Sequence, residues 1–253
     1  MRVTRSIVPN LFTLANLFCG FAAIIACTEG DMRKAAVLVL TAGIFDMLDG
    51  VVARLTRSTS EFGVELDSLC DAVSFGVAPS AMLYFAFFHE WQNWGLLLAS
   101  LPALAGVLRL ARFNVQVTSM EDKLYFRGMP IPAGAFTIVS YVLFVHLGSE
   151  IPLDWKPVGM VVATVLTAGA MVSTIKYDNV PRPTIRGIRQ RPLVFLVFSV
   201  GLIAAIVSGG TTVFPFMALY MIGGAIRHLV LFMRNKADDD DTVEEADPDP
   251  FSL

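Results

Sequence analysis

Residues 46–71, DMLDGVVARLTRSTSEFGVELDSLCD, decide the fold because they put acidic side chains inside two apolar segments. Apolar stretches at 33–57 and 61–88 flank a polar turn near residues 57–60, which predicts an antiparallel pair of helices. Ser58 and Glu61 have the spacing of a capping box at the start of the second helix of this pair. A charged side chain in the middle of a membrane helix costs about 2.5–3.5 kcal/mol on insertion scales, so such residues usually mark function.

The four aspartates of this stretch are predicted to face one another. Asp49 and Asp67 each lie nine residues from Ser58, while Asp46 lies twelve before it and Asp71 thirteen after it. Equal distances from the turn of an antiparallel pair mean equal depth, and spacings of three and four residues keep each pair on one helix face. At about 1.5 Å per residue, the pair nearer the turn is roughly 13 Å from it and accessible from the cytoplasm through a polar cavity.

Four converging carboxylates predict a site for divalent cations. Hard oxygen ligands suit Mg²⁺, Mn²⁺ or Ca²⁺, and phosphate-bearing substrates commonly complete such a coordination shell. Two ions about 3.5–4 Å apart would bind phosphates and stabilise charge on a leaving oxygen. The alternative is that the aspartates form buried ion pairs with Arg54 and its neighbours, but four acids and one nearby base would leave surplus negative charge.

Composition places these helices in a membrane. Of the 253 residues, 55% are hydrophobic and 16% are charged, and the mean hydropathy is +0.64. A spanning helix needs about 20 apolar residues. Eight stretches qualify, which predicts an all-α integral membrane protein with about eight transmembrane helices: 7–28, 33–57, 61–88, 92–113, 131–148, 156–176, 192–209 and 213–233. The first stretch lacks a clear small-residue cleavage site and is too long for the core of a signal peptide.

Basic residues predict the orientation. Of the 19 lysines and arginines, 16 fall on the side of the N-terminus, and only Arg33, Lys34 and Lys156 fall on the opposite side. Basic loops stay in the cytoplasm, so both termini and the active site are expected there, in the cell (inner) membrane. Residues 237–253 form an acidic tail that is predicted to be disordered. Cys19, Cys27 and Cys70 lie in apolar runs and are interpreted as packing residues.

The aspartates belong to a longer pattern: Asp46-x2-Asp49-Gly50-x2-Ala53-Arg54-x8-Gly63-x3-Asp67-x3-Asp71. This pattern resembles the full signature of the CDP-alcohol phosphotransferases, and Pro9-Asn10-x2-Thr13-x2-Asn16 resembles the motif that begins the first helix in that family. The resemblance implies a cytidine diphosphate lipid donor, a divalent cation requirement, release of CMP and a homodimer. No nucleic-acid partner is expected.

The resemblance also implies residue roles. Asp46, Asp49 and Asp67 would hold metal, and Asp71 would be both a metal ligand and the general base. Nucleotide and donor binding would fall to the remaining motif residues, with the small ones making room for cytidine: Thr13, Asn16, Gly50, Ala53, Arg54 and Gly63.

Three further segments suggest the acceptor. Residues 109–114 (RLARFN), 126–135 (FRGMPIPAGA) and 171–177 (MVSTIKY) resemble the phosphatidylserine synthase branch, which implies CDP-diacylglycerol and L-serine as substrates. Arg109 and Arg112 fall inside an apolar stretch and are candidates for binding carboxylate or phosphate. The alternative is that cationic side chains anchor loops to anionic lipid headgroups.

The sequence thus predicts a catalytic membrane domain at 1–178, two additional helices at 179–236 and the tail at 237–253. Two other functions remain open. The acceptor could instead be glycerol phosphate or inositol phosphate, with an ether-lipid donor as a related variant. The chain could also be a cation transporter, although the acids cluster near one face and no charged residues continue towards the outside.

Overall fold

The structure is a computed structural model that describes residues 3–56, 60–118, 128–148, 155–175, 177 and 192–244. Every regular element in these ranges is helical, which confirms the all-α prediction. Each of the eight predicted apolar stretches corresponds to one helix: α1 Val3–Thr28, α2 Met32–Thr56, α3 Glu61–Ala86, α4 Gln92–Thr118, α5 Ile131–His146, α6 Lys156–Val172, α7 Pro192–Val207 and α8 Val213–Glu244.

The protein is a multi-pass integral membrane protein. Five segments of the described chain are long and apolar enough to cross a bilayer: Ile7–Thr28, Met32–Thr56, Glu61–Ala86, Phe88–Val115 and Val213–Val230. Helices α5 and α6 are apolar but shorter, so the number of eight spans stays a prediction.

Helix α1 is the central element of the catalytic half. It packs closely against α2 and also contacts α3, whereas α2 and α3 make far fewer contacts with each other. Small residues make the contact between α1 and α2 tight, because Ala23, Ala26, Ala35 and Ala36 are almost fully buried there. A cleft therefore remains between α2 and α3, with α1 along one side of it.

Glycine and proline shape the contact between α1 and α3. A Cβ on Gly20 would lie 2.6 Å from the Cα of Ser74, so only glycine allows this approach. In α3, residues Ala72–Val77 form a π-helical segment between two α-helical parts. Pro79 follows it and lacks the N–H that a regular α-helix would donate to Phe75, which accounts for a wider turn at this point.

Two details of the sequence prediction differ from the structure. The N-cap of α3 is Ser60, whose side chain accepts a hydrogen bond from the Gly63 N–H, so the predicted Ser58–Glu61 capping box is wrong. Helix α8 continues to Glu244 and includes residues 237–244 of the tail that composition predicts to be disordered; residues 245–253 lie outside the described chain. The three cysteines are buried and free, as expected for packing residues.

We expect Gly20→Ala to destabilise the protein by about 1–3 kcal/mol, because the added methyl group would force α1 away from α3. Gly169→Ala on α6 is the matched control, since a Cβ there meets nothing within 4 Å and alanine favours helix. Thermal unfolding of both variants in detergent checks the prediction, and equal melting temperatures would contradict it.

Candidate functional site

Three of the four signature aspartates converge across the cleft. Asp46 and Asp49 on α2 and Asp67 on α3 each offer a carboxylate oxygen, and these oxygens all lie within 4.8 Å of one another. Oxygens on opposite sides of a shared cation are about 4 Å apart for Mg²⁺ and about 5 Å apart for Ca²⁺. The predicted convergence of acids from two helices is therefore confirmed for these three residues.

Asp71 lies beside this group and has a different set of contacts. It is buried, and the carboxylate that acts on it most strongly by electrostatics is that of Asp46, followed by that of Asp67. Asn16 Nδ2 donates a hydrogen bond to Asp71 Oδ1 at 3.1 Å. The facing of Asp46 and Asp71 and metal binding by Asp71 both stay predictions.

Helix α1 holds the carboxylates from the side. Thr13 Oγ1 donates to Asp49 Oδ2 at 2.8 Å, and Asn16 donates to Asp71 as described. Ser74, in the π-helical segment, donates in turn to the Asn16 carbonyl oxygen at 3.0 Å. Residues 13, 16 and 20 share one face of α1, so the Gly20 contact places this polar face against the acids. Thr13 and Asn16 therefore position aspartates; the structure does not test nucleotide binding by them.

A pocket of about 120 Å³ opens next to Asp49 and Asp67. Gly50, Ala53 and Gly63 line it, as their expected role beside a nucleotide requires. Its other lining residues are Pro9, Asn10, Thr13, Ser60 and Val64. A Cβ on Gly63 would lie 3.2 Å from Ser60 Oγ and 3.8 Å from Asn10 Oδ1, so a larger residue would narrow the pocket. Sequence reasoning missed Asn10 and Ser60, although Asn10 stands in the quoted motif of α1.

The described residues fit a divalent cation at the three-carboxylate group. The ion pair found among the described residues, Lys34–Glu29, involves no acid of the signature, so ion pairing with Arg54 does not account for these acids. Arg54 is exposed; it acts on Asp49 electrostatically, and its guanidinium lies near Gly50. Asp67 Oδ1 is buried and has no hydrogen-bond partner in the described part of the structure. Such an oxygen is costly to bury unless a cation or donor satisfies it.

The two candidate arginines of α4 have different surroundings. Arg109 is partly buried, its Nε has no hydrogen-bond partner among the described residues, and Asp71 acts on it electrostatically. Arg112 is exposed and donates from Nη1 to the Val172 carbonyl oxygen at 3.0 Å, which satisfies a free carbonyl at the end of α6. Arg109 is therefore the arginine beside the acids, while Arg112 supports the bundle.

The segments that suggest the acceptor meet at one place. Gly128 N–H donates to the Ile175 carbonyl at 2.8 Å, and Met129 N–H donates to the Ala170 carbonyl at 2.9 Å. Gly128 has φ +85°, and a Cβ there would collide with the Met171 carbonyl oxygen, so this contact requires glycine. Together with the hydrogen bond from Arg112 to Val172, these two bonds connect the segments 109–114, 126–135 and 171–177. Three further basic residues of the predicted cytoplasmic side that could bind substrate anions, Lys123, Arg127 and Lys176, lie outside the described residues.

Comparison with known proteins agrees with this geometry. The family model for the CDP-alcohol phosphatidyltransferases matches residues 6–175, about two thirds of the chain. The chain belongs to this family. The match includes α1–α6 and the whole site described above, and it ends before α7 and α8.

Curated relatives match over a longer part of the chain. A CDP-diacylglycerol–serine O-phosphatidyltransferase from Helicobacter pylori is 35% identical over 235 residues, covering 90% of this chain and 96% of the relative. An archaetidylserine synthase from Methanothermobacter thermautotrophicus is 37% identical, covering 68% of this chain and 70% of the relative. A CDP-diacylglycerol–serine O-phosphatidyltransferase from Bacillus subtilis is 31% identical, covering 68% and 90%.

We expect Thr13→Val to weaken the apparent affinity for activating divalent metal about 10- to 100-fold, because a hydrogen bond to a charged group contributes about 1.5–3 kcal/mol. Valine keeps the shape of threonine but leaves Asp49 Oδ2 without its donor. The matched control is Thr167→Val on α6, since Thr167 is fully buried and its Oγ1 has no partner in the described chain. Metal titrations of CMP release measure both; equal metal dependence in the two variants would contradict the positioning role of Thr13.

Proposed function

We propose that this enzyme transfers the phosphatidyl group of CDP-diacylglycerol to the hydroxyl of L-serine, giving phosphatidylserine and CMP. The observation that carries the reaction type is the group of Asp46, Asp49 and Asp67 with Asp71 beside it, in a chain of this family. The acceptor is supported by relatives of 31–37% identity whose names specify serine phosphatidyltransferase or archaetidylserine synthase activity.

The donor would occupy the cleft between α2 and α3. Its diphosphate would lie at Asp46, Asp49 and Asp67, and its cytidine in the adjoining pocket beside Gly50, Ala53 and Gly63. A divalent cation held by the three carboxylates, Mg²⁺ or Mn²⁺ or Ca²⁺, would offset the negative charge of the diphosphate. We propose two such ions, with Asp71 as a ligand of the second. Arg54 is exposed near Gly50 and would add positive charge at the same place.

Asp71 would act as the general base. Its carboxylate accepts the proton of the serine hydroxyl as that oxygen attacks the phosphorus atom nearer the lipid. A new P–O bond to serine forms, the P–O bond to CMP breaks, and the electron pair leaves with the CMP phosphate. The hydrogen bond from Asn16 fixes the orientation of the Asp71 carboxylate, and Arg109 beside it offers charge for the carboxylate of serine.

We place the enzyme in the cell (inner) membrane with both termini and the active site on the cytoplasmic side, because basic residues concentrate there. Membrane lipids surround a catalytic domain at 1–178, with two further helices at 179–236, and two copies of the chain form a homodimer.

A second donor is favoured by one observation. The relative from Methanothermobacter thermautotrophicus is named for archaetidylserine, and it is 37% identical to this chain over 174 residues. The same site would then take the ether-lipid analogue of the donor, since the reacting diphosphate is identical and only the lipid chains differ.

We expect purified enzyme with CDP-diacylglycerol to release CMP when L-serine is added, and to show little release with glycerol 3-phosphate or inositol phosphate. Chelation should reduce turnover to background, because the three carboxylates would lose the cation that offsets the donor diphosphate. Chromatography of CMP across the acceptor panel, before and after EDTA and after adding back Mg²⁺ or Mn²⁺, measures this. CMP release that does not depend on serine would contradict serine as the acceptor. CMP release that continues after chelation would contradict the metal requirement.

Asp71→Asn should lower kcat by at least about 10²-fold, because general-base assistance typically contributes a factor of 10²–10⁴. Asparagine has nearly the same shape but cannot accept the proton. Asp31→Asn is the control, since Asp31 is exposed and caps the start of α2 by accepting from the Lys34 N–H, a role that asparagine also performs. Steady-state kinetics with serine decide the matter, and a near-normal kcat for Asp71→Asn would remove Asp71 from the role of base.

A further inference from the structure

An amide side chain joins α4 to the part of α3 that carries the aspartates. Asn114 accepts a hydrogen bond at Oδ1 from Ser68 Oγ, 3.2 Å away, and donates from Nδ2 to Glu65 Oε2, also at 3.2 Å. The two partners are three residues apart on α3 and therefore lie on one face of it. Asn114 ends the segment 109–114, and the proposed reaction gives this residue no role. Its contacts connect it to the turn of α3 around Asp67.

Asp67 lacks the support that α1 gives to the neighbouring acids. Two of those aspartates accept hydrogen bonds from α1, whereas Asp67 Oδ1 is buried without a hydrogen-bond partner in the described part of the chain. The direction of its carboxylate therefore depends on the rotation of the helical turn that carries it. Asp67 lies about 100° around the helix from Ser68, so an amide bound to Glu65 and Ser68 fixes that rotation from another side of the helix.

The packing of α3 against α4 shows why a side chain is needed for this connection. Helix α4 packs closely against α3 from Ala72 onward but makes few contacts with the preceding part, Glu61–Asp71. In the closely packed part, Ser80 Oγ accepts a hydrogen bond from the Ala103 N–H at 3.1 Å. Close packing therefore holds the later part of α3, whereas the part with the aspartates is connected to α4 through the hydrogen bonds of Asn114.

We propose that Asn114 is a positioning residue of the cation site. By holding Glu65 and Ser68, it fixes the rotation of the α3 turn and keeps the Asp67 carboxylate directed at the divalent cation that the three carboxylates share. The segment 109–114 then contributes to cation binding as well as to binding of the acceptor. This inference rests on the proposed function, since it concerns the cation of that reaction.

Asn114→Ala in the purified full chain removes both hydrogen bonds and leaves the charge of the protein unchanged. We expect the Kd for Mn²⁺ to rise about three- to tenfold, less than the about 10- to 100-fold that removing a direct hydrogen-bond partner of a metal ligand costs, because Asn114 acts through the helix. Electron paramagnetic resonance of free Mn²⁺ in detergent, without lipid substrate, measures this binding directly. The Mn²⁺ concentration for half-maximal CMP release should rise by the same factor, while the KM for L-serine at saturating Mn²⁺ stays unchanged.

Asn114→Asp combined with Glu65→Gln exchanges the amide and the carboxylate between the two helices. In this double variant the glutamine amide donates to the aspartate, the Ser68 hydroxyl also donates to it, and the net charge is that of the wild type. We expect nearly the wild-type Kd for Mn²⁺. Rescue by the reversed pair distinguishes a specific connection between α3 and α4 from a general loss of stability.

Asn93→Ala is the matched control, because Asn93 is an exposed asparagine at the other end of α4 and its substitution should leave the Kd unchanged. An unchanged Kd in Asn114→Ala, or a double variant that binds Mn²⁺ no better than Asn114→Ala, would overturn the inference and leave the proposed function intact. Wild-type protein that binds no Mn²⁺ would contradict the cation site and this inference together. Wild-type protein that binds Mn²⁺ but releases no CMP in response to serine would overturn the proposed function and leave the inference standing.

Discussion

Mutual repulsion of aspartates inside an apolar bundle is the constraint on which the rest of the structure depends. Three carboxylate oxygens within 4.8 Å of one another are unfavourable in a medium of low dielectric constant unless positive charge compensates them. No described basic side chain forms an ion pair with them. The bundle is therefore built for a state in which a cation is present, and the cleft between α2 and α3 gives that cation and a charged substrate room to enter.

Helix α1 shows how a membrane protein holds such a group in place. It carries no acid of the signature, yet its Thr13 and Asn16 donate to Asp49 and Asp71 on two different helices. Small residues on the α2 side and Gly20 on the α3 side bring its backbone close enough for these short side chains to reach. Close helix packing and carboxylate geometry are thus consequences of the same residues.

Much of this arrangement could be predicted from sequence because it depends on spacing. Counting outward from the turn predicted that acids of α2 and α3 face one another, and hydropathy predicted the helices to within about five residues, except for the end of α8, which continues eleven residues further. Contacts between distant segments were not accessible in this way. The hydrogen bond from Arg112 to the Val172 carbonyl oxygen depends on how α6 packs against α4, and nothing in the local sequence of α4 indicates it.

Because of the π-helical segment Ala72–Val77, the parts of α3 before and after it direct their side chains towards different neighbours. One extra residue in a turn rotates everything beyond it by about 100° relative to a regular α-helix. The part of α3 before the segment directs Asp67 and Asp71 into the cleft, while the part after it buries Met82 and Leu83 in the apolar core. The packing of the part of α3 that follows Val77 can therefore change without turning Asp67 and Asp71 away from the cleft.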